Sequence, residues 1–102
     1  FEEAVIAAKD ADCILLCLGE NSYCEKPGDL DDLYLNDLQT ELAQAMLKTG
    51  KRIILILSEG RPRVISKFSN KVDAIVQIYL PGIYGANALA DILSGEVLFL
   101  IL

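Results

Sequence analysis

Cys13-Ile14-Leu15-Leu16-Cys17-Leu18, followed by Gly19-Glu20-Asn21-Ser22-Tyr23-Cys24-Glu25-Lys26-Pro27-Gly28-Asp29, is the stretch on which the fold turns. A short continuous apolar run closed by Gly fits a strand buried on both faces. The polar segment behind it then begins at a strand's carboxyl end, and in open α/β sheets ligands bind in the crevice outside those ends. Glu25 places a carboxyl group in that segment and is the leading candidate for a functional residue.

Working outward, Phe1, Ala4, Val5 and Ala8 recur at the spacing of one helix face. Residues 19–35 are rich in Asn, Ser, Pro, Gly and Asp, a long loop for a compact domain, and loops of that length are often functional. Asn36 with Gln39 resembles a capping box, and Leu38, Leu42, Ala45 and Met46 make an apolar stripe that stops before Gly50. Ile53-Ile54-Leu55-Ile56-Leu57 predicts a second buried strand, ending in Ser58-Glu59-Gly60-Arg61-Pro62. Residues 64–68 read as a short helix, 73–79 as a third strand ending at Pro81-Gly82, and 86–93 as a last helix. This alternation predicts an α/β fold: a mostly parallel sheet with helices on both faces, an α/β sandwich. The sheet is incomplete at three or four strands, so residues 1–102 make a single domain or a fragment of one in a larger enzyme. A sheet with open edges also predicts self-association.

A net charge of −6 argues against nucleic acid as a partner, because affinity for phosphate backbones comes largely from Lys and Arg. No apolar run reaches the roughly 18–20 residues of a membrane helix, and no signal peptide is present in the sequence. A leader on a longer secreted or periplasmic parent stays open. Cys13, Cys17 and Cys24 lack paired spacing and the chain has no His, which argues against a metal site. No cofactor is implied. Cys13 and Cys17 are expected to be small buried hydrophobes within the strand. Cys24, without a neighbouring base, reads as a wall residue rather than a nucleophile.

Several segments in order carry a family resemblance. They are Ala7-Ala8-Lys9-Asp10-Ala11-Asp12, the Gly19-Glu20 loop with Tyr23, Glu25, Gly28 and Asp29, Gly60-Arg61-Pro62, Tyr79-Leu80-Pro81-Gly82, and Gly85-Ala86-Asn87-Ala88-Leu89-Ala90-Asp91-Ile92-Leu93. Over residues 1–95 the chain resembles the C-terminal α/β-sandwich domain of glycoside hydrolase family 3, which includes β-glucosidases. The resemblance implies that Glu25 is the general acid/base leaning over a sugar pocket in a companion (β/α)8 barrel domain. It also implies that the nucleophile, an aspartate, belongs to that barrel, and that the substrate is a β-linked glucoside or oligosaccharide. The sequence departs from the family pattern at Asp29-Leu30, where Asp-Arg is frequent, at Ile83-Tyr84, and in the tail Val97-Leu98-Phe99-Leu100-Ile101-Leu102.

Around Glu25, Tyr23 is read as substrate-binding, a wall of the sugar pocket, with packing beneath its own loop as the alternative. Glu20 and Asp29 are expected to organise the loop, and Arg61 to brace the rim by pairing with Glu20 or Asp29. Gly82 and Gly85 read as turn residues, since the dinucleotide fingerprint GxGxxG is absent. The rival function is a non-catalytic nucleotide-binding or interaction module of flavodoxin-like or Rossmann-like architecture, supported by the fold pattern alone.

Overall fold

The computed structural model describes residues 1–98. Its centre is β2 (Arg52–Ser58), flanked by β1 (Cys13–Gly19) and β3 (Ala74–Gln77) in a parallel sheet of order β1-β2-β3. The register sets Leu16 beside Leu55 and Leu18 beside Leu57, so these side chains share one face of the sheet. Helices α1 (Glu2–Lys9) and α2 (Asp37–Leu47) cover that face with Ala8, Ala43 and Met46, and Leu35 and Phe68 complete the core. Leu55 is fully buried there, and truncating it to Ala should cost about 3 kcal/mol through lost transfer energy and the cavity left behind.

The second face carries Leu15 and Cys17 from β1, Ile54 and Ile56 from β2, and Ala74 and Val76 from β3. Helix α3 (Gly85–Ser94) shares with Val76 and Ile78 a groove lined by Ala88, Leu89 and Ile92, which places it against the β3 side of this face. The α/β sandwich expected from the sequence is therefore present. Toward β1, however, the second face is open among the described residues: Cys13 and Cys17 are exposed and Leu15 is 54% exposed. The expectation that Cys13 and Cys17 are buried is thus wrong. β1 is an edge strand covered on one side, and an all-apolar run does not reveal which of its two faces finds a partner.

Other boundaries shift for local reasons. Asn36 caps α2, its Oδ1 accepting from Leu38 N at 2.9 Å, but Gln39 is turned away and closes no capping box. Helix α2 buries Thr40, Ala43 and Met46 and leaves Leu38 65% exposed, so the stripe is rotated from the expected one. Residues 64–68 form no helix, because Val64 is drawn into a parallel bridge with Tyr34; a short 3₁₀ turn follows at Ser69–Lys71. β3 stops at Gln77, and Tyr79 then turns into the left-handed region at φ 54°. From Phe99 onward the tail lies outside the described residues.

Candidate functional site

Because the strands are parallel, their carboxyl ends open on one rim, and the loops after Gly19, Ser58 and Gln77 meet there. Glu20 is the first residue past β1. Its N–H donates to Ser58 O at 3.2 Å, which carries the β1–β2 ladder one residue further. Its side chain, 7% exposed, reaches across to the loop after β2. Glu20 Oε1 accepts from the backbone N–H groups of Gly60 at 3.1 Å and Arg61 at 3.3 Å. Glu20 Oε2 accepts from Arg61 Nε at 3.4 Å and Arg63 Nη1 at 3.0 Å.

Burial pushes the Glu20 carboxyl up, but bonds from the Arg63 side chain, the Arg61 backbone and Tyr23, together with the Arg61 charge, outweigh it. The net effect holds the group below its ordinary value. Glu20 is thus a charged fastener whose acceptor sites are filled, not a proton donor. The expected Arg61 brace forms with Glu20 rather than with Asp29.

The Arg61 guanidinium also lies over the Tyr23 ring, 4.2 Å from its centroid, a cation–π contact. A Cβ at Gly28 would collide with the Tyr23 ring and one at Gly60 with its hydroxyl, so the ring fits only because both positions are glycine. Burial raises the Tyr23 hydroxyl above its ordinary value, and the adjacent Glu20 carboxylate adds to the rise. Tyr23 is therefore packed beneath its own loop. It remains 38% exposed and lines a polar cleft of about 310 Å³ together with Glu20, Gln39, Arg61 and Arg63.

Glu25 lies further along the same loop, just before a 3₁₀ turn at Lys26–Gly28, and its carbonyl accepts from Gly28 N at 2.9 Å. Its φ of 49° lies in the left-handed region that residues with a Cβ rarely occupy. Glu25 is exposed, takes part in neither ion pair of the described residues, and does not line the cleft. Cys24 is exposed beside it and is likewise outside the cleft lining. Asp32 Oδ1 accepts from Tyr34 N at 2.8 Å and organises the far end of the loop. Among the described residues no three His, Cys, Asp or Glu side chains gather as a metal-ligand set, and no helix is long and apolar enough to cross a membrane.

Three participants escaped the sequence reading. Arg63 joins the Glu20 cluster, and its signal was its place two residues beyond Arg61, since alternate residues of an extended segment point the same way. Gln39, read as part of a cap, instead clasps the end of β1. Glu59 is fully buried after β2; its Oε1 accepts from Arg63 N at 3.1 Å, and nothing in its sequence surroundings marks it as internal.

The family described as "Glycosyl hydrolase family 3 C-terminal domain" matches residues 1–99. A β-xylosidase of Formosa agariphila is 36% identical over 95% of this chain and 14% of its own length. A lysosomal β-glucosidase of Dictyostelium discoideum is 37% identical over 94% of this chain and 12% of its own. The chain thus spans only about one seventh or one eighth of these relatives. Among solved structures, a β-glucosidase from Erythrobacter marinus superposes with a TM-score of 0.82 at 38% identity, covering 94% of this chain and 14% of that one. The β-glucosidase of Listeria innocua in complex with gluconolactone gives 0.86 at 29% identity, covering 93% and 13%. With the match running through every element and rim loop described above, the chain belongs to glycosyl hydrolase family 3, as its C-terminal domain.

Proposed function

We propose that this chain is the part of a retaining exo-β-glycosidase that supplies the general acid/base, Glu25, while a (β/α)8 barrel domain of the parent supplies the nucleophile. The observation that carries the reading is the placement of Glu25. It stands exposed in the loop that begins at the carboxyl end of β1, outside the ion pairs that occupy Glu20, and that loop is fastened at its base. A carboxyl group so placed is available to a partner domain set against the rim. The relatives named above, a β-xylosidase and β-glucosidases, agree with a β-linked glucoside or oligosaccharide as substrate.

In this reading Glu25 as the acid protonates the departing oxygen while the barrel carboxylate attacks the anomeric carbon. Glu25 as the base then takes a proton from the water that hydrolyses the glycosyl-enzyme. Tyr23, which lines the cleft, serves in this reading as a wall of the sugar site.

The test is Glu25→Ala in the full-length parent enzyme. Substrates with poor leaving groups should be slowed strongly, by about 10²–10⁴-fold. Substrates whose leaving groups depart as stable anions should be slowed far less in forming the glycosyl-enzyme, and azide should then accelerate turnover by attacking without base assistance. Equal loss across all substrates with no azide rescue would remove Glu25 from the catalytic role.

A further inference from the structure

Arg63 grips both ends of the loop that carries Glu25. At the loop's start, Arg63 Nη1 donates to Glu20 Oε2 at 3.0 Å. At its far end, Arg63 Nε donates to Leu33 O at 3.0 Å and Nη2 donates to Tyr34 O. The backbone reinforces this hold: Val64 N donates to Leu33 O at 2.7 Å, and Leu35 N donates to Val64 O at 3.3 Å. The Arg63 side chain is 13% exposed. Among the described residues Arg61, by contrast, is held at the near end, through Glu20 and Tyr23.

A guanidinium presents its donors in a fixed planar fork, so the separation of groups bound to different nitrogens is set by the fork itself. One such group joined to residues 20, 33 and 34 turns the intervening loop into a closed ring. A Lys ammonium is a point charge on a flexible stem and cannot hold three acceptors at these separations.

We infer that Arg63 is a positioning residue: by closing residues 20–34 into a ring it fixes where Glu25 stands relative to the bond to be broken. This rests on the proposed acid/base role of Glu25. Arg63 touches no reacting atom, and its effect is transmitted through the loop. Releasing the ends lets the carboxyl wander, and small misplacements of a reacting group are costly. The loss falls on the step that needs Glu25 as a proton donor, whereas departure of a stable anion does not need it.

The experiment compares Arg63→Ala, Arg63→Lys and Glu25→Ala with the unaltered full-length parent enzyme. The probes are aryl β-glycosides ranging from poor to good leaving groups, with each rate corrected for the fraction of folded enzyme. For Arg63→Ala, kcat/KM should fall by about tenfold or more on the poorest leaving group and by less than about twofold on the best. Added guanidinium ion should restore part of the loss, and Arg63→Lys should behave like Arg63→Ala. Should Arg63→Ala fail to fold, Arg63→Lys carries the test. A loss equal across all leaving groups, a loss explained by the folded fraction alone, or unaltered behaviour of Arg63→Lys overturns the inference. A steep leaving-group dependence in Glu25→Ala beside a flat one in the Arg63 variants overturns it alone. A flat response in Glu25→Ala overturns the acid/base reading, and this inference with it.

Discussion

Gln39 holds Gly19 by both of its backbone groups: Nε2 donates to Gly19 O at 2.7 Å, and Oε1 accepts from Gly19 N at 2.8 Å. The next residue, Glu20, pairs its N–H with Ser58 of β2, so Gly19 directs its own pair toward the free edge of the sheet. The amide of Gln39 occupies both positions that another strand would take. It thereby closes the edge at the residue where the loop bearing Glu25 begins. Gln39→Ala should leave both groups unpaired and cost about 2 kcal/mol. Urea unfolding would read this, with Glu41→Ala on the exposed side of the same helix as a control that changes stability by less than about 0.5 kcal/mol.

The Glu20 cluster makes stability depend on acid. Its folded pKa lies below the ordinary 4.5, so its contribution is complete above that value and is lost as the pH falls through the depressed folded value. Glu20→Gln should cost about 1 kcal/mol near neutral pH, because it leaves two guanidinium groups short of their charged partner. The gap between the two proteins should close as the pH drops below the ordinary carboxylate range. Unfolding midpoints measured across that range check this, and a gap independent of pH would show that the ion pairs contribute nothing.

Tyr23 should be sensitive to a single added methyl group beneath it. Gly28→Ala places a Cβ against the ring and Gly60→Ala places one against the hydroxyl, and overpacking of this kind costs about 1–3 kcal/mol. Tyrosine fluorescence together with thermal unfolding would detect the displaced ring. The double change of Gly28→Ala with Tyr23→Ala should recover part of the loss, since the group struck is then gone.

The open side of the second sheet face predicts association of the chain as it stands. Cys13, Leu15 and Cys17 line it on an edge strand, a surface and an edge that invite pairing. Sedimentation should show mass rising with concentration, and Leu15→Lys should shift the distribution toward monomer without lowering the unfolding midpoint. A monodisperse monomer at high concentration would count against it.

Under the proposed division of labour, residues 1–102 alone should not hydrolyse aryl β-glycosides, because the attacking carboxylate lies elsewhere in the parent. Full-length enzyme should be active in the same assay. Turnover by the purified chain that a change within it abolishes would relocate the active site.

Much of the architecture was legible because it follows from local pattern. Cys13-Ile14-Leu15-Leu16-Cys17-Leu18 and Ile53-Ile54-Leu55-Ile56-Leu57 are apolar runs of strand length, and both are strands of a parallel sheet. The rim loops followed from their punctuation by Gly and Pro. What escaped was tertiary. Whether Cys17 is buried depends on which helix crosses the second face, and a residue's neighbours in sequence do not say. Gln39 carried a plausible local role as a cap, and a partner twenty residues away took it instead. Val64 fitted a helical stretch but was captured by Tyr34 as a bridge. At the site, the Arg61–Glu20 pairing could be anticipated from charge, whereas the span of Arg63 to Leu33 and Tyr34 required backbone carbonyls that no side-chain pattern encodes.

Under the proposed acid/base role, position 25 sets folding against chemistry. A residue with a Cβ held at φ 49° sits in a conformation costing about 1–3 kcal/mol, and glycine there would be free of it. Glu25→Gly should therefore yield a sturdier domain, and on the proposed acid/base role one with no proton to give. An improvement campaign scored on heat resistance alone would be drawn to that substitution and, under the proposed role, would deliver a well-folded, silent protein.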